Sequence, residues 1–325
     1  MRAMILAAGF GTRLGELTQL RPKPMLPICG APLVRWAVLW LRAQGVREIV
    51  INLHYLGEQI IEDLGDGSAL EVDITYSHEE GQILGTGGGL RQARRLLDDG
   101  KGGPFVVVNG KILTDLELAP ALARHRAGRY EATMVLREDS EGVWGGSLAE
   151  DQREGSLATF LGETRPGAAA GPAMMFTGVH LMQSSFLDRV PPEGEQCIVR
   201  TAYRQLFRED RVGAHIHRGY WWEHSTVERY LQGVANVLDG KARLAWAEAP
   251  VVGVHPDAII EAEVELAEQV YVGPGARVGR GAVIGPHSQI GAGASVAAGV
   301  RVERAAVWPG VQLERDLCDA VCTGA

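Results

Sequence analysis

The sequence predicts an α/β fold with a mostly parallel sheet, followed by a β-helix of hexapeptide repeats. Three observations point there. Apolar strand-like runs alternate with helix-like segments over residues 1–238. A Gly-rich turn follows directly on the first of these runs. From Val254 onward, an aliphatic residue returns at every sixth position.

The elements follow in order. Met4 to Ala8 reads as a buried strand, running into Gly9, Gly11, Thr12 and Arg13, with Lys23 held between two prolines. Leu33 to Gln44 reads as a helix, Ile49 to Leu53 as a strand and Glu71 to Tyr76 as a short alternating strand. Gly89 to Leu97 reads as an amphipathic helix and Phe105 to Asn109 as a buried strand. Strands that alternate with helices favour a parallel sheet. Ligands of such sheets sit beyond the carboxyl ends of the strands. The Gly-rich turn, the segment from His54 and the segment Gly110 to Asp115 all fall at such ends.

Residues 138–176 are dense in Gly, Ala and acidic side chains. They are expected to form a substrate-side excursion with a mobile loop around Gly167 to Pro172, and not a separate domain. Met175 to Leu181 resumes as a strand. Thr226 to Leu238 is a helix that Ser225 or Thr226 can cap.

The last part differs in kind. Val254, Ile260, Leu266, Val272, Val278, Ile284, Ile290, Val296 and Val302 stand six apart. Four residues beyond each is a small or aliphatic residue, from Ala258 to Ala306. A period of six is neither helix nor simple strand. It fits a triangular coil in which each hexad is one face with its aliphatic residue inward, so nine hexads make about three coils. The expected organisation is therefore 1–238, a linker at 239–250, and the repeats at 251–325. Uncapped β edges invite pairing, so a homo-oligomer, a dimer first, is expected.

Composition narrows the class. A chain of 325 residues has room for two domains. A net charge of −8 disfavours a nucleic acid polymer, which needs a basic face, but not a nucleotide. No apolar run approaches the roughly 18–20 residues of a membrane span. The first residues fit no signal peptide, so a cytoplasmic location is expected. Cys29, Cys197, Cys318 and Cys322 match no zinc spacing and read as reduced thiols.

The chemistry is concentrated in residues 5–27, ILAAGFGTRLGELTQLRPKPMLP. Glycines let bare N–H groups approach a phosphate, and Arg13 and Lys23 add charge. This string resembles the signature of sugar-1-phosphate nucleotidyltransferases, roughly LAAGxGTRLxPLT…PKPxLP. The likeness extends over nearly the whole chain and is nearest to mannose-1-phosphate guanylyltransferases and related uridylyltransferases. It implies a Rossmann-like, GT-A-like domain and a left-handed β-helix, although the usual crossover rule would give the right hand. It implies a nucleoside triphosphate and a sugar 1-phosphate as partners, with pyrophosphate released. Arg13 and Lys23 become the catalytic clamp. Leu6, Ala8, Gly9, Gly11, Thr12 and Arg13 become nucleotide-binding, joined by Gln82, Gly85 and Thr86 from the string QILGTGGG, which reads the base. Asn109, Gly145, Glu163, Arg165 and Gly178 take the sugar phosphate side. There Glu163, Thr164, Arg165 and Pro166 stand for a Glu-Lys-Pro string of the family.

The chain departs from the pattern at the metal. The resemblance implies Mg2+ held by two aspartates, one in a string like VVNGDxxTD and one in a string like GYWxDIGTPExY. Here the strings read VVVNGKILTD and GYWWEHSTVERY, so Lys111 and Glu223 stand at the two places. Glu223 can ligate through its longer arm. The Lys111 ammonium is not expected to ligate. At ~4 Å and an effective dielectric of about 20, a like unit charge costs ~4 kcal/mol. It can sit on phosphate instead. Asp115 is a spare carboxylate nearby. These departures leave other readings open: an impaired or regulatory nucleotide-binding paralogue, or an engineered inactive variant. An acyltransferase using His255 or His287 of the repeats is a further one. Tyr220, Trp221 and Trp222 read as core, and Arg91, Arg94 and Arg95 as a solvated helix face.

Overall fold

The protein is described by a computed structural model covering residues 1–139, 142 and 144–324. Its contacts gather into two units. The first comprises Met1–Gly9, Trp40–Gly110 and Leu116–Gly219; the second comprises Phe10–Leu39, Lys111–Asp115 and Tyr220–Ala325. These units cut across chain order, so the segments 1–238 and 251–325 stand as a proposal about which stretches fold together.

The first unit is built on a seven-stranded sheet. Its strands are β1 (Arg2–Leu6), β2 (Glu48–Leu53), β3 (Asp73–His78), β4 (Phe105–Asn109), β5 (Ala132–Glu138), β6 (Met174–Met182) and β7 (Val212–Ile216). The spatial order is β7-β5-β6-β4-β1-β2-β3. All neighbours are parallel except β6, which runs against both β4 and β5. The mostly parallel sheet predicted from the alternation is therefore present. Strands β1 and β4 are buried through their middles, which explains their unbroken apolar runs. Leu6 stands level with Asn52 on one side and Asn109 on the other, so three strands end together.

Three local expectations shift. Strand β1 ends at Leu6, two residues early, because the Ala7 N–H donates to Asn52 Oδ1 at 2.9 Å and leaves the ladder. The helix expected from Gly89 begins at Gly85 and breaks at Ala93, giving Gly85–Gln92 and Arg94–Leu97. Its early start has a cause. Glu79 Oε2 accepts the Leu84 N–H at 2.8 Å and the Gln196 carbonyl accepts the Gly87 N–H at 2.7 Å, which satisfies donors a helix start leaves open. The stretch read as an excursion carries a three-stranded antiparallel sheet, Ala149–Glu150, Leu157–Phe160 and Glu163–Thr164. The Gly/Ala run is bonded to it: Gln152 N–H donates to Ala169 O and Gly171 N–H to Glu150 O, at 3.0 and 2.9 Å. Residues 140, 141 and 143 of that stretch lie outside the described residues.

The second unit holds the β-helix. Short strands from Gly253 to Cys322 stack into three parallel sheets of five, four and four strands, which is four full coils and one strand more. This three-sided stack fits the left-handed β-helix that the resemblance implies. Val272, Val278, Ile284, Ile290, Val296 and Val302 point inward and are buried. Three of the nine expected inside are not. Val254 and Leu266 are 40% and 37% exposed and Ile260 is half-buried. They form the first coil, and among the described residues no coil lies beneath it. After Val302 the repeat tightens, so Val307, not Trp308, pairs with Ile290. That slip hides the last coil from a strict six-residue search.

Buried polar bonds tie the β-helix to the rest of its unit. Gln289 Oε1 accepts the Cys29 N–H at 2.8 Å, and its Nε2 donates to Pro27 O and Tyr230 Oη, each at 2.9 Å. Tyr230 Oη donates to Pro27 O at 2.7 Å and accepts from Trp308 Nε1 at 3.1 Å. Tyr230 lies on the helix Val227–Leu238, which Thr226 caps by accepting the Arg229 N–H at 3.2 Å. Cys29 is buried with its thiol pKa pushed up, and all four cysteines are free. No described helix is long and apolar enough to cross a membrane.

Candidate functional site

The second unit brings Arg13, Lys23, Lys111 and Glu223 together. Gly11 has φ +71°, and a Cβ there would stand 2.8 Å from Thr18 Cγ2 and 3.1 Å from Lys23 Cε. Only glycine lets the Lys23 stem pass under the turn. The turn continues as the 3-10 segment Thr12–Leu14, and Lys23 opens a second one, Lys23–Met25. Lys111 and Glu223 meet because Ile112–Thr114 pairs antiparallel with Trp221–Glu223, and the His224 N–H closes the ladder on Lys111 O at 3.1 Å.

Lys111 Nζ lies 2.9 Å from Glu223 Oε2, and Arg13 Nη2 lies 3.6 Å from Glu223 Oε1. Burial works to raise the Glu223 pKa, but Lys111 with its hydrogen bond, then Ser225 and Arg13, hold the carboxyl below the usual range. Burial, then the charges of Lys111 and Arg13, pull the Lys23 ammonium down to about 8. Three cations thus share one carboxylate. The group carries positive charge in excess, which is the electrostatics of a polyanion site.

His224 beside them is a packing residue. It is fully buried, its Nδ1 donates to Lys111 O at 3.1 Å, and among the described residues Nε2 has no hydrogen-bond partner. Burial lowers its pKa to about 4, so the ring is neutral. Gly233 makes room for it, since a Cβ there would stand 2.1 Å from Nε2.

The residues present do not fit the magnesium ion that the resemblance implies. Glu223 was expected as a ligand, but its two oxygens already face an ammonium and a guanidinium. Among the described residues no three His, Cys, Asp or Glu side chains gather as a metal site. A divalent ion on Glu223 would have Lys111 as its neighbour.

The first unit holds the other nucleotide candidates. Ala8 is buried and Gly9 exposed, and a Cβ on Gly9 would meet nothing within 4 Å. The protein's own packing therefore does not require that glycine. Gln82 is exposed, Gly85 has φ +68° against Gln196 O, and Thr86 Oγ1 accepts the Ile198 N–H at 3.2 Å. Sequence reasoning missed what fixes this loop. Asn52 Nδ2 donates to Glu79 Oε1 at 2.6 Å, while Glu79 Oε2 holds the Leu84 N–H. Glu79 is 4% exposed, and Gly89 clears it, since a Cβ there would stand 2.5 Å from Glu79 Oε1. The available signal was a polar Asn in the otherwise apolar strand IVINL.

On the sugar phosphate side the structure joins some candidates and engages others elsewhere. Gly178, φ +80°, lies against Asn109, whose Nδ2 would be 2.3 Å from a Cβ. Gly145 donates its N–H to Asp139 Oδ2 at 2.8 Å. Glu163 is held by Arg204 and Arg208 at 2.9 Å. Arg165 was expected as a cation for the sugar phosphate. Its guanidinium instead bonds Asp210 at 2.5 Å, Ser156 Oγ at 2.7 Å and Leu157 O at 3.1 Å, so it braces the small sheet. Trp221 is buried as expected, and Trp222 Nε1 donates to Arg229 O at 2.7 Å.

Known proteins resemble this chain at length. A family model described as nucleotidyl transferase matches residues 2–239. The N-acetylmuramate alpha-1-phosphate uridylyltransferase of Neisseria meningitidis serogroup B is 36% identical over 236 residues, covering 72% of this chain and 97% of that protein. Mannose-1-phosphate guanylyltransferase 1 of Arabidopsis thaliana is 30% identical over 323 residues, covering 98% of this chain and 84% of its own. A crystal structure from Bacillus anthracis, assigned as a glucose-1-phosphate thymidylyltransferase and bound to a sucrose, superposes with a TM-score of 0.60 at 20% identity, covering 72% of this chain and 94% of that one. At that identity the last likeness speaks for the fold alone.

Proposed function

The chain belongs to the nucleotidyl transferase family, and we propose that it transfers a nucleotidyl group from a nucleoside triphosphate to a sugar 1-phosphate. An oxygen of the sugar phosphate attacks the α-phosphorus. The new P–O bond forms as the bond to the α–β bridging oxygen breaks, and pyrophosphate leaves with that electron pair. The nucleophile is already an anion, so no Ser, Cys or His nucleophile is needed. The protein has to hold two polyanions in line and balance the charge that develops.

The cluster of Arg13, Lys23 and Lys111 around a single carboxylate is the observation that carries this reading. Gly11, Thr12, Arg13 and Lys23 are proposed for the triphosphate. Leu6, Ala8, Gly9, Gln82, Gly85 and Thr86 are proposed for the nucleoside. Asn109, Gly178 and Gly145 are proposed for the sugar phosphate, with Glu163 and Arg165 left as bracing residues. The named activities of the relatives favour guanylyl or uridylyl transfer. The cytoplasm is the proposed location. Exposed Val252, Val254, Ile259 and Leu266 on and beside the first coil support pairing with a second copy, and sedimentation showing only monomer at micromolar concentration counts against that.

Pyrophosphate release with a panel of nucleoside triphosphates and sugar 1-phosphates tests the reading. Release that requires both substrates is expected. Release with triphosphate alone, or none with any pair, contradicts it.

A further inference from the structure

We propose that Lys111 serves as a built-in cation for the triphosphate, so that nucleotide binds to Arg13, Lys23 and Lys111 without a divalent ion held by the protein. This rests on the nucleotide reading above and adds to it how the phosphate charge is met. Lys111 Nζ is fixed 2.9 Å from Glu223 Oε2 and is only 24% exposed, so the ammonium is an ordered part of the cluster and not a solvated arm. The backbone fixes it as well, since the carbonyl of the same residue accepts from His224 N–H and Nδ1–H, each at 3.1 Å.

The charges set the consequence. Glu223 is the counter-ion of both Lys111 and Arg13, and among the described residues no other carboxylate pairs with either. An arriving triphosphate competes with Glu223 for them. Phosphate oxygens then take the place of the carboxylate, and Glu223 keeps at most one cation. A divalent ion bound to Glu223 would have to displace the ammonium first and then remain beside it. Free triphosphate carries more negative charge than its magnesium complex, so the cluster prefers the free form.

Titration calorimetry on the full chain, with UTP and GTP, in excess EDTA and then in excess magnesium, tests this directly. The affinity is expected to be equal in the two conditions or tighter in EDTA, by up to about tenfold, which corresponds to ~1.4 kcal/mol. Binding that magnesium tightens by about threefold or more overturns the inference while leaving the nucleotide reading intact. Absence of binding in both conditions overturns the nucleotide reading, and this inference with it. Lys111→Asp provides the second arm, with its fold checked by its melting curve. Its binding in EDTA is expected to fall by about tenfold or more. A variant that keeps full affinity in EDTA shows that the ammonium does not touch phosphate and overturns the proposal.

Discussion

Lys111 Nζ and Glu223 Oε2 stand 2.9 Å apart at the end of a two-stranded antiparallel ladder, an ion pair at the two places where the sequence resemblance implies aspartates. The pairing of the strands Ile112–Thr114 and Trp221–Glu223 places both, with Glu223 opposite Ile112 and Lys111 one residue before it. The pair makes this end of the ladder part of a cation cluster with Arg13 and Lys23.

Lys23 gives the cluster a pH signature. Its pKa of about 8 lies below its ordinary 10.5, first through burial, then through Lys111 and Arg13. Above pH 8 the folded chain has released a proton that the unfolded chain keeps to about 10.5. The unfolded state therefore binds more protons in that window, and this group makes stability rise with pH across it. A bound polyanion raises the pKa again. Nucleotide binding near pH 8 should take up protons, seen as a dependence of calorimetric heat on buffer ionisation enthalpy. Lys23→Met should abolish the uptake and weaken binding by about 1.5–3 kcal/mol, whereas Arg13→Ala should weaken binding similarly and keep the uptake.

Glu79 should matter without touching the phosphates. Glu79→Gln replaces an oxygen that accepts from Asn52 or Leu84 with an NH2 group, setting donor against donor. A loss of about 1–3 kcal/mol in stability is expected. A raised KM for the triphosphate with the KM for sugar phosphate unchanged would show that Glu79 positions the Gln82–Thr86 loop. Equal changes in both would contradict that role.

Gln289 should connect the β-helix to the segment that carries Lys23. Gln289→Leu strands the Cys29 N–H and removes a donor from Pro27 O and Tyr230 Oη. The expected cost is about 1–3 kcal/mol, read as a lower melting temperature, with weaker nucleotide binding at temperatures where the chain remains folded. Unchanged affinity would mean that Lys23 is held independently of the β-helix.

Two positions of the same repeat should respond oppositely. Ile284 is fully buried in the second coil and Leu266 is 37% exposed in the first. Ile284→Asp buries a charge with no partner and should unfold the repeats, removing their contribution to the circular dichroism melt. Leu266→Asp should shift stability by no more than about 1 kcal/mol. Similar melts for the two variants would contradict the placement of the first coil.

The repeats and the parallel sheet were legible because each rests on a period, six residues in one and alternating strand and helix in the other. The clamp residues were legible because they sit in one contiguous string. What the sequence hid is long-range. Arg165 matches the position of a sugar phosphate cation in chain order, but Asp210, 45 residues on, claims it. Glu79 escaped notice because nothing local marks a buried carboxylate whose partners are Asn52 and Leu84. The outward-facing first coil was hidden for a different reason: its residues obey the repeat, and only its place at the end of the stack exposes them.

The most direct test of nucleotidyl transfer follows one phosphorus atom. With nucleoside triphosphate labelled at the α-phosphate and a sugar 1-phosphate present, the label should appear in a sugar nucleotide, and label at the γ-phosphate should appear in pyrophosphate. Label that remains in the triphosphate under all pairings, or γ-label released as inorganic phosphate, would contradict the account.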